Sequence, residues 1–331
     1  MVKYIIKRLL LAAFILLLVS IFLYFLVRLM PANAIETKYF QTHANSDENK
    51  ELLKAMLARY NLDDPSFGGI IKGWWQWITS FFAGDMGTSF QQNRKVEDII
   101  VQNMGISFSI SLISLILEVL IAIPLGIKCA CNQYGKLDYT ATVITMIGIS
   151  FPTFFFGNII IKFFAVDLGW FPANGINSNL LTTATGWERF TDMLWHMVLP
   201  LFVLTILSIG SLMRYTRTNT LEVLNADYIR TARAKGLSEG KVVYKHVFRN
   251  TMIPLVTVLA STLPGLFGGA MITETIFGIP GIGKIAYDLM YNGDIPFIMA
   301  YNMFIAVLTV IGILLADVMY AVVDPRVKLG K

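Results

Sequence analysis

Residues 9–27 read LLLAAFILLLVSIFLYFLV, nineteen consecutive positions without a charge. A helix of that length rises about 28 Å, close to the hydrocarbon thickness of a bilayer. Lys3, Lys7 and Arg8 precede the run and Ala32-Asn33-Ala34 follows it, an arrangement that also suits a secretory signal peptide. The apolar stretch of such a peptide is only about 7–15 residues long, so the run reads as a retained transmembrane helix.

Five further runs match it. Residues 105–127 are uncharged except for Glu118, and residues 139–161, 197–213, 251–273 and 295–316 carry no charge. Six spans follow, in a chain of 331 residues that is 55% hydrophobic and only 15% charged. A soluble domain averages about 25% charged residues, and so much apolar surface could not be hidden from water. The composition therefore excludes a disordered chain and argues for an all-α membrane protein.

Basic residues orient the spans. With the N-terminus inside, the cytoplasmic segments hold 16 of the 27 Lys and Arg residues, eight of them between positions 214 and 250. The two short outer loops hold one each, Arg189 and Lys284. Both termini are then cytoplasmic. The formal net charge of +5 is a topology signal, not a nucleic-acid footprint. Histidines 43, 196 and 246 are scattered, and Cys129 and Cys131 are the only cysteines, so no sequence-local metal site or disulfide framework is present.

Residues 31–102 form a long outer segment. Ser46 is placed to cap a helix with Leu52, Leu53, Met56, Leu57 and Tyr60 on one face, ended at Asp63-Asp64-Pro65. Residues 70–82 contain Trp74, Trp75 and Trp77, the composition of a helix at a membrane interface. The reading is a helical extracytoplasmic cap between the first two spans. Residues 1–102 are the first span plus cap, and residues 103–331 are a five-helix transmembrane domain. Prolines 124, 152, 200 and 264 mark candidate kinks.

Several polar positions are candidates for function. Ser107, Ser111, Ser114 and Glu118 recur at helical spacing and share one face. That stripe suits either a translocation path or an interhelical hydrogen-bond seam. Glu274, Phe277, Pro280 and Gly281 begin the loop after the fifth span, a candidate outer gate or a plain tight turn. Gly278, Gly283 and Lys284 approach a phosphate-binding loop. It fails because Ile285 replaces the Ser or Thr that reaches Mg²⁺, Pro280 interrupts the backbone amides, and the loop lies outside. Asp317 falls at the inner end of the sixth span.

Residues 214–250 are the most informative stretch. No Gly or Pro interrupts positions 219–235, so this part can be helical; Gly236 suits a left-handed helix end, and Ser238 can cap a second helix. Helix, glycine turn and helix make a basic elbow that fits either a partner's groove or a solvated topology loop.

The elbow Asp227-Tyr228-Ile229-Arg230-Thr231-Ala232-Arg233-Ala234-Lys235-Gly236, followed by Ile253-Pro254, resembles the coupling loop of binding-protein-dependent ABC importer permeases. That family's Glu-Ala-Ala, three residues, Gly pattern falls here on Arg230, Thr231, Ala232 and Gly236. The missing glutamate and first alanine are similar to the peptide and nickel branch. So are Gly84-Asp85-Met86-Gly87-Thr88-Ser89, the segment from Glu274 to Gly283, and Asp317, Tyr320 and Asp324-Pro325-Arg326. The resemblance implies a non-catalytic subunit in a prokaryotic cell membrane, moving short peptides by alternating access. It implies a second homologous permease, two ABC ATPase subunits and an extracytoplasmic peptide-binding protein as partners. No cofactor would sit in this chain; ATP and Mg²⁺ would bind the ATPases. Import of nickel or another small solute is the alternative within the family. A stand-alone secondary transporter, with Glu118 as its coupling group, is the alternative outside it.

Overall fold

The computed structural model describes residues 2–29, 39–40, 44–59, 62, 64, 66–178, 185–263 and 265–323. Ala32-Asn33-Ala34, Tyr60, Asp63, Pro65, Pro264 and Asp324-Pro325-Arg326 lie outside the described residues. Among the described residues the regular structure is helical, apart from one isolated antiparallel bridge between Thr88 and Lys95.

Helix α1 (Val2–Arg28) is the first span. Two shorter helices follow it, α2 (Asp47–Arg59) and α3 (Phe67–Phe82). The Ser46 hydroxyl does cap α2, accepting the Asn49 N–H at 3.3 Å. Ser66 caps α3 in the same way, through the Gly69 N–H at 3.0 Å. The second span is α4 (Val96–Cys131), unbroken at Pro124.

The third apolar run is not one straight helix. Helix α5 (Lys136–Ser150) stops, and α6 (Thr153–Ile160) with its π-helical continuation Ile161–Asp167 leaves at 104°. Pro152 explains the break. Proline offers no N–H and crowds the preceding residue out of the helical region, and Phe151 is extended at φ −84°, ψ 131°. Among the described residues five helical stretches are long and apolar enough to cross a membrane, the interrupted residues 254–276 among them, and the bent pair makes a sixth when its two halves are one span.

Helix α7 (Gly186–Leu224) opens with a capping box between Thr185 and Glu188 and passes Pro200 without breaking. After the elbow helix α8 (Asp227–Ala234), the chain re-enters through a π-helical turn, Val242–Val247, into α9 (Phe248–Thr262). The fifth apolar run is also interrupted: a short turn and Gly269 at φ +75° separate α9 from α10 (Met271–Ile276). Helices α11 (Ile282–Tyr291) and α12 (Ile295–Val323) complete the chain.

Helices α4 and α7 form the central pair. Ile110 packs with Met197, Leu199 and Val203 toward one end of the pair, and Ala122, Ile123 and Ile127 pack with Ile209, Leu212 and Met213 toward the other. Lipid is as apolar as leucine, so close van der Waals contact rather than hydrophobic burial holds such a pair. Gly126 permits that contact, since a Cβ there would lie 2.7 Å from the Met213 carbonyl. Two ion pairs tie helix ends together: Arg217 to Asp138 at 2.6 and 2.7 Å, and Arg8 to Asp317 at 3.0 Å. Asp317 thus joins α12 to α1.

Candidate functional site

The first candidate site is the elbow. Helix α7 ends at Leu224, and Ala226 is extended, so the expected helix over 219–235 is broken between Asn225 and Ala226. Helix α8 then turns back on its own small core. Ile229 and Ala232 are buried with Val242 and Val247 of the return segment. The helix closes at Gly236, φ +76°, whose N–H bonds the Arg233 carbonyl at 2.9 Å. Arg233 makes a bidentate pair with Glu239 across the turn, at 2.8 and 3.2 Å. Ser238 stands at the start of the return helix, but its hydroxyl caps nothing. Asp227, Arg230, Thr231, Arg233, Ala234, Lys235 and Gly236 are left on the exposed side. One face of the elbow is therefore spent on rigidity and the other is free to meet a partner.

The second candidate site centres on Glu274, which is only 1% exposed. It does not start an open loop; it lies within α10. Its carboxylate accepts the backbone N–H of Ala270 at 2.9 Å and of Lys284 at 3.0 Å. Ser107, on α4, accepts the N–H of Ile282 at 2.8 Å. Gly281 sits between the two acceptors, and a Cβ there would overlap both the Glu274 carboxylate and the Ser107 hydroxyl. Phe277 is buried among Ile110, Met197 and Ile279, while Pro280 is exposed. The loop from α10 to α11 is thus clasped to α4.

The polar stripe on α4 divides. Ser107 is consumed by the clasp, and Ser114 faces the Thr205 hydroxyl at 3.5 Å. Ser111 and Glu118 are half-buried, and Glu118 makes no hydrogen bond or ion pair with the described residues.

Sequence reasoning passed over Asp294. Its carboxylate accepts the Ser89 hydroxyl at 2.5 Å and the N–H groups of Gln91 and Phe297 at 3.0 and 3.2 Å. It joins the turn from Gly84 to Ser89 to the start of α12. Burial pushes its carboxyl above the usual range, and those donors pull it back down. An aspartate directly before Ile295-Pro296 is a helix N-cap signal that could have marked it.

Comparison with known proteins agrees with this architecture. Residues 122–329 match the family described as binding-protein-dependent transport system inner membrane component. Residues 1–111 match its companion N-terminal membrane component. The chain belongs to this family: it is the multi-pass inner-membrane component of a binding-protein-dependent transport system, and it is not an enzyme. Among its relatives, the oligopeptide transport system permease protein AppB of Bacillus subtilis is 37% identical over 99% of this chain and 100% of its own length. The dipeptide transport system permease protein DppB of the same species is 32% identical, covering 100% and 99%. The oligopeptide permease OppB of Haemophilus influenzae is 30% identical, covering 99% and 100%. In fold, the chain is similar to a chain of the inward-facing MetNI methionine ABC transporter, with TM-score 0.54 and 19% identity, over 68% of this chain and 96% of that one.

Proposed function

We propose that this chain is a permease subunit of an ATP-driven importer that carries short peptides from an extracytoplasmic binding protein into the cytoplasm. The observation that carries the substrate class is the end-to-end likeness, at 30–37% identity, to permeases of oligopeptide and dipeptide systems. In this reading the chain crosses the membrane six times, counting the bent pair once, with both termini inside. Residues 1–102 supply the first span and the outer cap, and residues 103–331 the transport domain. A second, homologous permease completes the path, and two ATPase subunits bind one elbow each.

The elbow's geometry suits coupling. A helix braced by its own buried residues and an ion pair transmits displacement rather than absorbing it. Nucleotide closure of the ATPases moves residues 227–236, and the motion passes through α7 and α9 to the spans. Ser111 and Glu118 line the path, and Glu274, Phe277, Pro280 and Gly281 form the outer gate.

Uptake of a labelled dipeptide and a labelled oligopeptide, in cells lacking this gene and in cells regaining it, tests the reading. Peptide uptake that is lost, restored by the gene and dependent on ATP supports it. Loss of nickel uptake with peptide uptake unchanged would reassign the substrate. Mass spectrometry of the subunits that co-purify in mild detergent checks the assembly; a chain that purifies alone and still moves solute overturns it.

A further inference from the structure

Helix α3 divides its circumference into three sectors. Gly69, Gly73, Trp77, Ile78 and Phe81 face the protein and are buried. Lys72, Gln76, Thr79 and Ser80 form a polar strip that is exposed. Next to that strip, Phe67, Ile71, Trp75 and Phe82 stand 79%, 49%, 59% and 64% exposed. Phe67, Ile71 and Trp75, at i, i+4 and i+8, make one apolar ridge, and Phe82 lies on the same line beyond Ile78, which is buried at i+11. Facing water, such a ridge costs about 25 cal/mol per Å². A helix with one polar and one apolar free face is built to lie in the plane of a membrane interface.

The contacts of α3 with α1 set its depth. Trp74 Nε1 donates to the Ser20 hydroxyl at 3.1 Å, and the Trp77 ring stacks on Tyr24 with centroids 6.3 Å apart. Ser20 and Tyr24 precede Arg28 by eight and four residues, about 12 and 6 Å down the helix. Arg28 reaches the other way, to the carbonyls of Leu62 at 3.0 Å and Asp64 at 2.6 Å, which marks the level where charge meets water. Helix α3 is therefore packed against α1 below that level. On α1, Leu17 and Ile21 flank the Ser20 and Tyr24 face and are also bare, 43% and 44% exposed.

We propose that α3 is an in-plane anchor whose Phe67, Ile71, Trp75 and Phe82 ridge is sunk among the acyl chains of the outer leaflet. Lipid is the partner, by continuity with the membrane-facing side of α1. The anchor holds more than itself. Helix α3 runs through Gly84 into the turn whose Ser89 binds Asp294 at the start of α12. The leaflet thereby steadies the turn that is bonded to the start of α12. The assignment to the outer leaflet rests on the proposed orientation; the burial of the ridge does not.

The test uses the full chain with its partner subunits in right-side-out vesicles, with Cys129 and Cys131 replaced by serine. A nitroxide is placed in turn through Ile71→Cys, Trp75→Cys, Gln76→Cys and Thr79→Cys, and collisions with oxygen and with a membrane-impermeant nickel chelate are compared. Labels at 71 and 75 should favour oxygen severalfold, and labels at 76 and 79 should favour nickel. Equal nickel access at all four positions puts the ridge in water and overturns the proposal. Shielding of 71 and 75 from both reagents puts a protein on the ridge and overturns it equally. If the label at 79 meets nickel only from inside, the orientation fails while an oxygen-rich ridge still stands.

Discussion

The hydroxyl of Ser107 accepts the backbone N–H of Ile282 at 2.8 Å, across 175 residues of sequence. Both groups are buried, so this bond is what fastens the loop between α10 and α11 to the second span. Ser107→Ala would leave that N–H without a partner, at a cost of about 1–3 kcal/mol. Ser109→Ala is the control, because Ser109 is exposed and bonds only its own helix. Thermal unfolding of the purified complex should show a clear drop for the first variant and little change for the second.

Glycines on the same loop differ from glycines elsewhere. A Cβ on Gly283 would lie 2.8 Å from both Glu274 Oε2 and the Met271 nitrogen, and backbone cannot swing aside. Gly283→Ala should destabilise by about 1–3 kcal/mol, as overpacking does. Gly105→Ala, on α4 with nothing within 4 Å of the new atom, should be neutral or stabilising, since alanine favours helix. Midpoints of thermal unfolding for the two variants check this.

Gly236 presents the opposite case. Nothing lies within 4 Å of its would-be Cβ, so only its φ of +76° restricts the residue. Left-handed backbone costs a branched L-residue about 1–2 kcal/mol, and asparagine less. Gly236→Val should lower binding-protein-stimulated ATP hydrolysis and uptake together, with membrane insertion unchanged. Gly236→Asn should keep most of both. Normal uptake with valine at this position would show that the turn plays no part in coupling.

Asp138 and Arg217 close the N-terminal end of α5 against α7 by two short bonds, with Asp138 almost wholly buried. Asp138→Ala strands the guanidinium. The cost should be about 2–3 kcal/mol, below the range for a fully buried pair because Arg217 keeps some contact with water. Adding Arg217→Met should recover part of the loss. Chemical denaturation of the wild type, the single variant and the double variant closes the comparison.

Sequence by itself determined the class of fold. Span length, uncharged runs and the placement of Lys and Arg depend only on the bilayer as solvent, which acts on each segment independently of the rest. The elbow was legible for the same local reason: Gly236 ends a short helix wherever that helix is placed. Tertiary structure alone decided what polar groups inside the membrane do. The helical spacing of Ser107, Ser111, Ser114 and Glu118 put them on one face, but not which of them would be spent. Ser107 is spent because a loop distant in sequence brings an N–H to it, and Glu118 is not. Glu274 read as the start of a loop and is instead a buried acceptor of two amides. The depth of α3 was hidden for a related reason. Its tryptophans marked an interface, but only Trp74 on Ser20 fixes how far below that interface the helix packs. Hydrogen bonds between distant segments have no periodicity along the chain, so no pattern in the sequence announces them.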